Sequence, residues 1–324
     1  MKKVLVVGSG SIGMRHARVL REAGHEVAIF SARSQRRQVL RAEGWMVPDA
    51  MEDFSGCRHA IVATRTGSHV ETTLPLLEAG MDVLVEKPLA INGEQGLVLL
   101  DAATKLQRRV FCALNLRFSL SLNFFRSWLD RPGRWHAAHI ECRSYLPDWR
   151  PGTDWKASYS ASATEGGVLR DLVHEIDYAG WLLGWPETVF ARFDRSGRLG
   201  IKAEEAASLD CSLASGAMVQ VDLDYLSRVP IRTMRVFGEK GTLQWNGITQ
   251  TVQFESLDGT IDSSEKHESR DENLRRQDTA FLDGADENLV SGEEALRGLA
   301  VCDAARRSAD SARVERVFDT MKSG

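Results

Sequence analysis

The chain has 324 residues, with 41 Lys and Arg against 45 Asp and Glu for a formal net charge of −4; such a balance gives nucleic acid no basic surface to bind. Hydrophobic residues at 43% and charged residues at 27% suit a globular protein of about two domains with true cores, and no apolar run approaches the ~20 residues that span a bilayer. Five scattered cysteines, Cys57, Cys112, Cys142, Cys211 and Cys302, form no C-x-x-C pair, which points to reduced thiols and a cytoplasmic setting rather than a disulfide frame or a zinc site.

The opening MKKVLVVGSG has too short an apolar stretch for a signal peptide and reads as a first strand over Lys3–Val7. It enters Gly8-Ser9-Gly10-Ser11-Ile12-Gly13, followed by a helical pattern that stops at Gly24 and a second strand over His25–Phe30. Strand, G-x-G-x-x-G, helix and strand in this order are the setting of a dinucleotide pyrophosphate turn. The end of the second strand, Phe30-Ser31-Ala32-Arg33-Ser34-Gln35-Arg36-Arg37, has no acid for a ribose 2′-hydroxyl. A serine and an arginine suit a 2′-phosphate instead, so NADP(H) is expected over NAD(H), read by Ser31 and Arg33.

Further strands are expected at 59–63, 81–85 and 110–114, with helices at 68–79 and 93–105 between them. The polar ends Thr64-Arg65-Thr66, Glu86-Lys87-Pro88 and Asn115-Leu116-Arg117 should converge where a doubly wound sheet binds its ligands. After about residue 120 the pattern changes. A helix over 120–130 precedes a strand over 135–145 and an aromatic loop with Trp149, Trp155 and Tyr159. One long helix over 167–183 follows, then strand-like runs at 188–194, 207–213, 217–225, 231–237, 241–245 and 248–254. Residues 262–278 are a charge run read as a solvated helix or loop, and a last helix covers about 292–311.

The expected fold is therefore α/β: an N-terminal Rossmann doubly wound parallel sheet (1–118) and a C-terminal α+β domain with a mostly antiparallel open sheet (119–324), the closing helix free to pack back on the first domain. Trp245, Val219, Val221, Leu223, Phe237 and Val236 do not all fit one face of that sheet, so a homodimer or homotetramer through it is expected.

On the helix over 166–183, Asp171, His174 and Asp177 stand three apart along one flank, behind Gly166-Gly167, where a ligand can approach. They are read as a proton-handling group rather than a metal site, since no second His or Cys accompanies them. His136 and His139 are three apart in a strand and face opposite sides; His16 and His267 are read as structural or solvent-exposed.

Gly8–Gly13, Ala63-Thr64 through His69, Val85-Glu86-Lys87-Pro88-Leu89, Asn115-Leu116-Arg117-Phe118, Gly166–Asp177 and 290–296 together resemble the glucose–fructose oxidoreductase / inositol dehydrogenase / rhizopine catabolism (Gfo/Idh/MocA) family. The resemblance implies that Lys87 works beside the nicotinamide and that Asp171 and His174 complete the site. It extends the cofactor set to Ala63, Thr64, His69 and Glu86 beside the glycine turn. Asn115, Arg117, Trp149, Trp155, Tyr159 and Arg170 are expected as substrate contacts with Lys87, Asp171 and His174. Two departures stand out: Ala63-Thr64-Arg65 where the family more often has Ala-Thr-Pro, and Asp171 and His174 three apart rather than four.

The expected chemistry is hydride transfer between NADP(H) and a secondary carbon of a sugar, sugar acid, cyclitol or nucleotide sugar, with His174 as acid/base and Lys87 polarising the substrate oxygen. Two other readings are a catalytically silent NADP-binding sensor or scaffold, and a Rossmann reductase of a non-sugar substrate. Neither nucleic acid nor membrane is an expected partner, and no metal is expected.

Overall fold

Val4, Leu5 and Val6 are fully buried because the first strand lies inside a parallel sheet with both faces covered. The computed structural model of the protein describes residues 1–51, 54, 56–284 and 287–318. In chain order, strands β1 (Lys3–Val7), β2 (Glu26–Phe30), β3 (His59–Val62), β4 (Asp82–Glu86) and β5 (Val110–Ala113) alternate with helices α1 (Ser11–Glu22), α2 (Ser34–Ala42), α3 (His69–Glu78) and α4 (Gly93–Leu106). Then come α5 (Leu120–Ser127), β6 (Trp135–Arg143), α6 (Val168–Asp171), α7 (Val173–Leu183), β7 (Thr188–Asp194), β8 (Ala206–Ser212), β9 (Met218–Asp224), β10 (Ile231–Gly238), β11 (Gly241–Asn246), β12 (Thr251–Ser256) and β13 (Ile261–Glu265). The chain closes with α8 (Glu272–Asp283), β14 (Val290–Ser291), α9 (Gly292–Ser311) and β15 (Glu315–Arg316).

Two compact units result: Met1–Phe118 with Ser269–Leu296, and Ser119–Glu268 with Arg297–Gly324. The segment Ser269–Leu296, which the sequence reading gave to the second domain, thus clusters with the first. The reason is visible in α8. It buries Leu274, Gln277, Asp278, Ala280, Phe281 and Leu282, and its Phe281 joins the core of Val4, Val6, Ile29, Ile61 and Leu84. The expected solvated charge run holds strand β13 and the start of an amphipathic helix that buries its apolar side together with Asp278.

The first unit's sheet has the order β14-β5-β4-β3-β1-β2, parallel except at β14. The carboxyl ends of β1, β3, β4 and β5 therefore lie in one row, and the strand order reverses at β1, the position where open α/β sheets bind ligands.

The second unit holds a sheet ordered β13-β12-β11-β10-β6-β9-β8-β7-β15, antiparallel except for β6 beside β9. Its register aligns Trp245, Met234, Ile140, Val221, Leu209 and Ala191 in one continuous row, all buried. Trp245 donates its indole N–H to Ser121 Oγ on α5 at 2.9 Å, and Tyr178 of α7 meets its ring edge-on at 5.5 Å. Val219, Val236 and Leu223 are buried with this face; of the residues expected to spread over two faces, Phe237 alone is on the other. That other face carries His139, whose Nε2 lies 2.8 Å from Asp222, with Glu141, Arg143 and Arg235 around it. It is polar because strand alternation puts the apolar positions of β6, β9, β10 and β11 inward.

All five cysteines are buried and none is in a disulfide; burial pushes the thiols of Cys142, Cys211 and Cys302 up to about 12, which keeps them unreactive. Among the described residues, no helix is long and apolar enough to cross a membrane.

Candidate active site

In the first unit the glycine turn is built by contact. Gly8 adopts φ +116°, and a Cβ there would sit 2.3 Å from the Ala63 carbonyl oxygen. A Cβ on Gly13 would meet the Gly8 carbonyl oxygen at 2.1 Å, so helix α1 packs on the turn itself. Gly10 is different: its Cβ direction is open, with nothing within 4 Å. It is the N-cap of α1, has no side-chain cap, and no acid follows in the first turn. Such a helix end offers N–H groups to an anion, so these residues fit a dinucleotide pyrophosphate.

At the end of β2, Ser31 is buried and its Oγ accepts from Ser9 Oγ at 3.1 Å. Arg37 donates to the carbonyls of Ser31 at 2.7 Å and Ala32 at 3.1 Å, fixing the loop. Arg33 is exposed at the N-cap of α2.

At the end of β4, the Lys87–Pro88 bond is cis. Glu86 is buried; its Oε2 accepts from the Lys87 backbone N–H at 3.1 Å, and its Oε1 lies 3.0 Å from His16 Nε2. The other His16 nitrogen faces both oxygens of Asp278 at 2.9 and 2.8 Å. On the far side, His69 Nδ1 is 3.0 Å from the Pro88 carbonyl oxygen and its Nε2 3.3 Å from that of Thr64. Burial holds the His69 pKa below its ordinary value. Buried His69 thus braces the backbone after Lys87, and buried His16 holds the Glu86 side chain before it; Lys87 is half-buried.

In the second unit the expected long helix is broken. α6 ends at Asp171 and α7 begins at Val173, Leu172 having φ −99° and ψ 33° between them. Asp171 and His174 therefore do not share a regular i,i+3 flank, which is a correction of the helical-spacing expectation. Asp171 is buried and its Oδ2 accepts from Tyr225 Oη at 2.6 Å. Tyr225 meets Trp149 edge-on at 5.3 Å, and Trp149 donates to Ser144 Oγ at 3.0 Å. His174 is half-buried on α7. Between His174 and Asp177 lies Glu175, fully buried and paired with Arg232 at 2.8 Å.

Residues 2–114 match the model described as "Oxidoreductase family, NAD-binding Rossmann fold" and residues 130–244 match the GFO/IDH/MocA C-terminal domain. The chain belongs to the Gfo/Idh/MocA family. It is an oxidoreductase with an NAD(P)-binding Rossmann unit, acting as a dehydrogenase or reductase on CH–OH groups. It is 26% identical over 275 residues to inositol 2-dehydrogenase 2 of Saccharopolyspora erythraea, covering 78% of this chain and 76% of the relative. To D-glucoside 3-dehydrogenase of Escherichia coli it is 28% identical over 193 residues, covering 57% and 54%. Levoglucosan dehydrogenase in complex with NADH shares its fold with a TM-score of 0.85 at 18% identity over 98% of this chain and 99% of that one. The WlbA dehydrogenase of Bordetella pertussis, solved with NADH and UDP-GlcNAcA, does so at 0.80 and 22% identity over the same shares.

Several residues expected at the cofactor or substrate also have partners within the fold. Glu86 and His69, expected at the cofactor, are buried and bond the backbone of the Lys87–Pro88 turn. Arg117, expected at the substrate, is 1% exposed and its guanidinium pairs with Glu294 at 3.0 Å. Arg170, expected there too, is buried and donates to the Gly166 carbonyl at 3.2 Å; burial, with Arg306 nearby, lowers its pKa. Trp155 donates to the Leu199 carbonyl at 3.1 Å, and Tyr159 lies under the Arg150 guanidinium at 5.3 Å. Asn115 and Thr64 remain half-buried at their strand ends. Tyr225 and His16 were missed as site-forming residues: Tyr225 follows a strand end with no motif around it, and His16 sits in an ordinary helical pattern.

Proposed function

We propose that this family member moves a hydride reversibly between NADP(H), in preference to NAD(H), and a secondary carbon of a sugar, sugar acid, cyclitol or nucleotide sugar. The observation that carries this reading is the setting of Lys87. It follows β4 in the same row of strand ends as the open Gly10 turn, and its backbone is held on both sides. The nicotinamide cofactor, when bound, supplies or takes up the hydride. The chain's residues supply the rest. Oxidising an alcohol requires removal of its hydroxyl proton, for which a base must come within hydrogen-bond reach. His174 takes that role. Lys87 polarises the substrate oxygen and stabilises the negative charge that grows on it. Asp171, fixed by Tyr225, holds His174 or a substrate hydroxyl.

Preference for the 2′-phosphate rests on the absence of any acid between Phe30 and Arg37 and on the exposed Arg33. Ser31 shapes the loop through Ser9, leaving Arg33 as the reader of charge. Relatives named for inositol and for a D-glucoside favour a polyol ring as substrate. The test is a panel of cyclitols, sugars, sugar acids and nucleotide sugars with NADP+ and NAD+, followed at the reduced nicotinamide absorbance. Turnover of one panel class that is lost in Lys87→Ala is expected; turnover indifferent to Lys87 and His174 overturns the assignment.

A further inference from the structure

Arg150 follows Trp149 in the segment between β6 and α6 and is exposed. A tight turn sets its backbone: the Arg150 carbonyl accepts from the Thr153 N–H at 3.0 Å, across Pro151 and Gly152, with Gly152 at φ +80°. Proline in second place and a left-handed glycine in third make a type II turn. An aromatic ring sets its side chain, the guanidinium carbon lying 5.3 Å from the centroid of Tyr159. Among the described residues, no carboxylate forms an ion pair with that guanidinium. Of the acids in the same segment, Asp148 is exposed and Asp154 accepts from the Lys156 backbone N–H at 2.9 Å. The rings on either side of Arg150 both lead to Asp171. Trp149 meets Tyr225 edge-on at 5.3 Å, and Tyr225 donates to Asp171 at 2.6 Å. Tyr159 is close enough to Tyr225 to add to the rise in its pKa that burial and then Asp171 produce.

We propose that Arg150 is the specificity-determining residue for an anionic group on the substrate, so that the ring this enzyme oxidises carries a carboxylate or a phosphate. This rests on the reading of the Asp171 cluster as part of the substrate site. A guanidinium presents a planar fork of N–H donors that matches the paired oxygens of either anion. Its turn and its place over Tyr159 restrict it before any ligand arrives, so less freedom is lost on binding. The charge logic agrees. The Asp171 carboxylate repels a negative substituent, and the Arg150 charge offsets that repulsion, while the ring hydroxyls need only hydrogen bonds. Neutral cyclitols and plain sugars should therefore rank below their acidic counterparts.

The test uses the full-length enzyme with NADP+ and matched neutral, carboxylate-bearing, phosphate-bearing and nucleotide-linked forms of each panel ring. Wild type should prefer an anionic form over its neutral counterpart by about tenfold or more in kcat/KM, and the preference should weaken as salt is raised. A preference confined to the carboxylate form identifies a sugar acid; one confined to the phosphate or nucleotide form identifies a phosphorylated sugar. Arg150→Ala and Arg150→Gln should each lower the anionic-to-neutral ratio by about tenfold. Arg150→Lys should keep part of it, since it retains the charge without the fork. Arg192→Ala, which removes an exposed cation from β7, should leave the ratio as in wild type. Titration calorimetry of the same compounds on the NADP+-loaded protein gives the ratio independently of turnover. A wild-type preference for the neutral form, or a ratio that Arg150→Ala and Arg150→Gln leave unchanged, overturns the inference. If no compound is turned over but calorimetry shows an anion preference that Arg150→Ala abolishes, the redox reading fails and the role of Arg150 stands. If turnover depends on Lys87 and the ratio ignores Arg150, only the role of Arg150 fails; absence of both turnover and binding overturns the two together.

Discussion

Tyr225 donates its hydroxyl to the Asp171 carboxylate at 2.6 Å, and both residues are buried. The contact ties the end of β9 to the break between α6 and α7, so it sets where α7, the helix that carries His174, begins. Burial, then the neighbouring Asp171 charge, drives the Tyr225 pKa well above its ordinary value, so the phenol remains a donor throughout the working pH range. Tyr225→Phe removes the donor from a buried carboxylate. The expected cost is about 1–3 kcal/mol in urea unfolding, together with reduced kcat. Asp171→Asn keeps a neutral acceptor for Tyr225, so it should cost less stability and yet lower kcat at least as much.

Gly10 and Gly13 separate binding from folding. Gly10→Ala places a methyl in open space at a backbone φ of −74°, so unfolding free energy should stay within about 0.5 kcal/mol of wild type. Cofactor Kd should rise tenfold or more, because the methyl stands where a pyrophosphate approaches. Gly13→Ala must displace the Gly8 backbone and should lower both stability and binding. Equal Kd values for wild type and Gly10→Ala, measured by titration calorimetry, would remove the pyrophosphate assignment.

Charge at residue 33 should control the nicotinamide choice. Arg33→Ala is expected to lower kcat/KM for NADP+ by roughly tenfold, an ion contact's worth of about 1.4 kcal/mol, and to leave NAD+ little changed. Arg33→Glu should favour NAD+, since a carboxylate repels the 2′-phosphate and can accept from a ribose hydroxyl. Steady-state kinetics with the two cofactors decide the matter.

His16 also makes a stability prediction with a definite sign. In the fold it keeps its proton up to about 10, against 6.5 ordinarily. Between those values the folded protein binds the extra proton, so its stability falls as pH rises. The contribution is complete below about pH 6.5 and gone above about 10, with a limiting slope of about 1.4 kcal/mol per pH unit. Thermal unfolding of wild type should therefore weaken from neutral to alkaline pH, and His16→Gln should flatten that dependence.

How much of this was legible in the sequence depends on whether a residue's role is local. The parallel strands, the glycine turn and the Glu86-Lys87-Pro88 ending declare themselves, because periodicity and turn chemistry act within a few residues. Helix α8 was misread because its apolar positions are diluted by charges and its partner surface on α1 lies about 250 residues earlier in the chain. The same distance hid His16: nothing near it in sequence tells that Glu86 and Asp278 will flank it. Arg117, Arg170, Glu86 and His69, expected at ligands, have partners in the fold that the sequence does not show. Polar residues at a strand end or beside glycines resemble ligand contacts, while the buried carbonyls and carboxylates that claim them come from elsewhere. The break at Leu172 was invisible, since Arg170, Asp171, Leu172 and Val173 all tolerate a helix.

The return of Ser269–Leu296 to the first unit has a bearing on how the protein is made. Asp278, Phe281 and β14 belong to that unit's core and sheet, yet they leave the ribosome after nearly the whole second unit has been translated. The nucleotide-binding layer cannot finish folding as its own stretch emerges. At typical elongation speeds of about 5–20 residues per second, the nascent β1–β5 sheet stays without Asp278 for His16 and without its last strand for many seconds. A gene cut after Phe118 would produce that unfinished state permanently, with an exposed apolar face where Phe281 belongs.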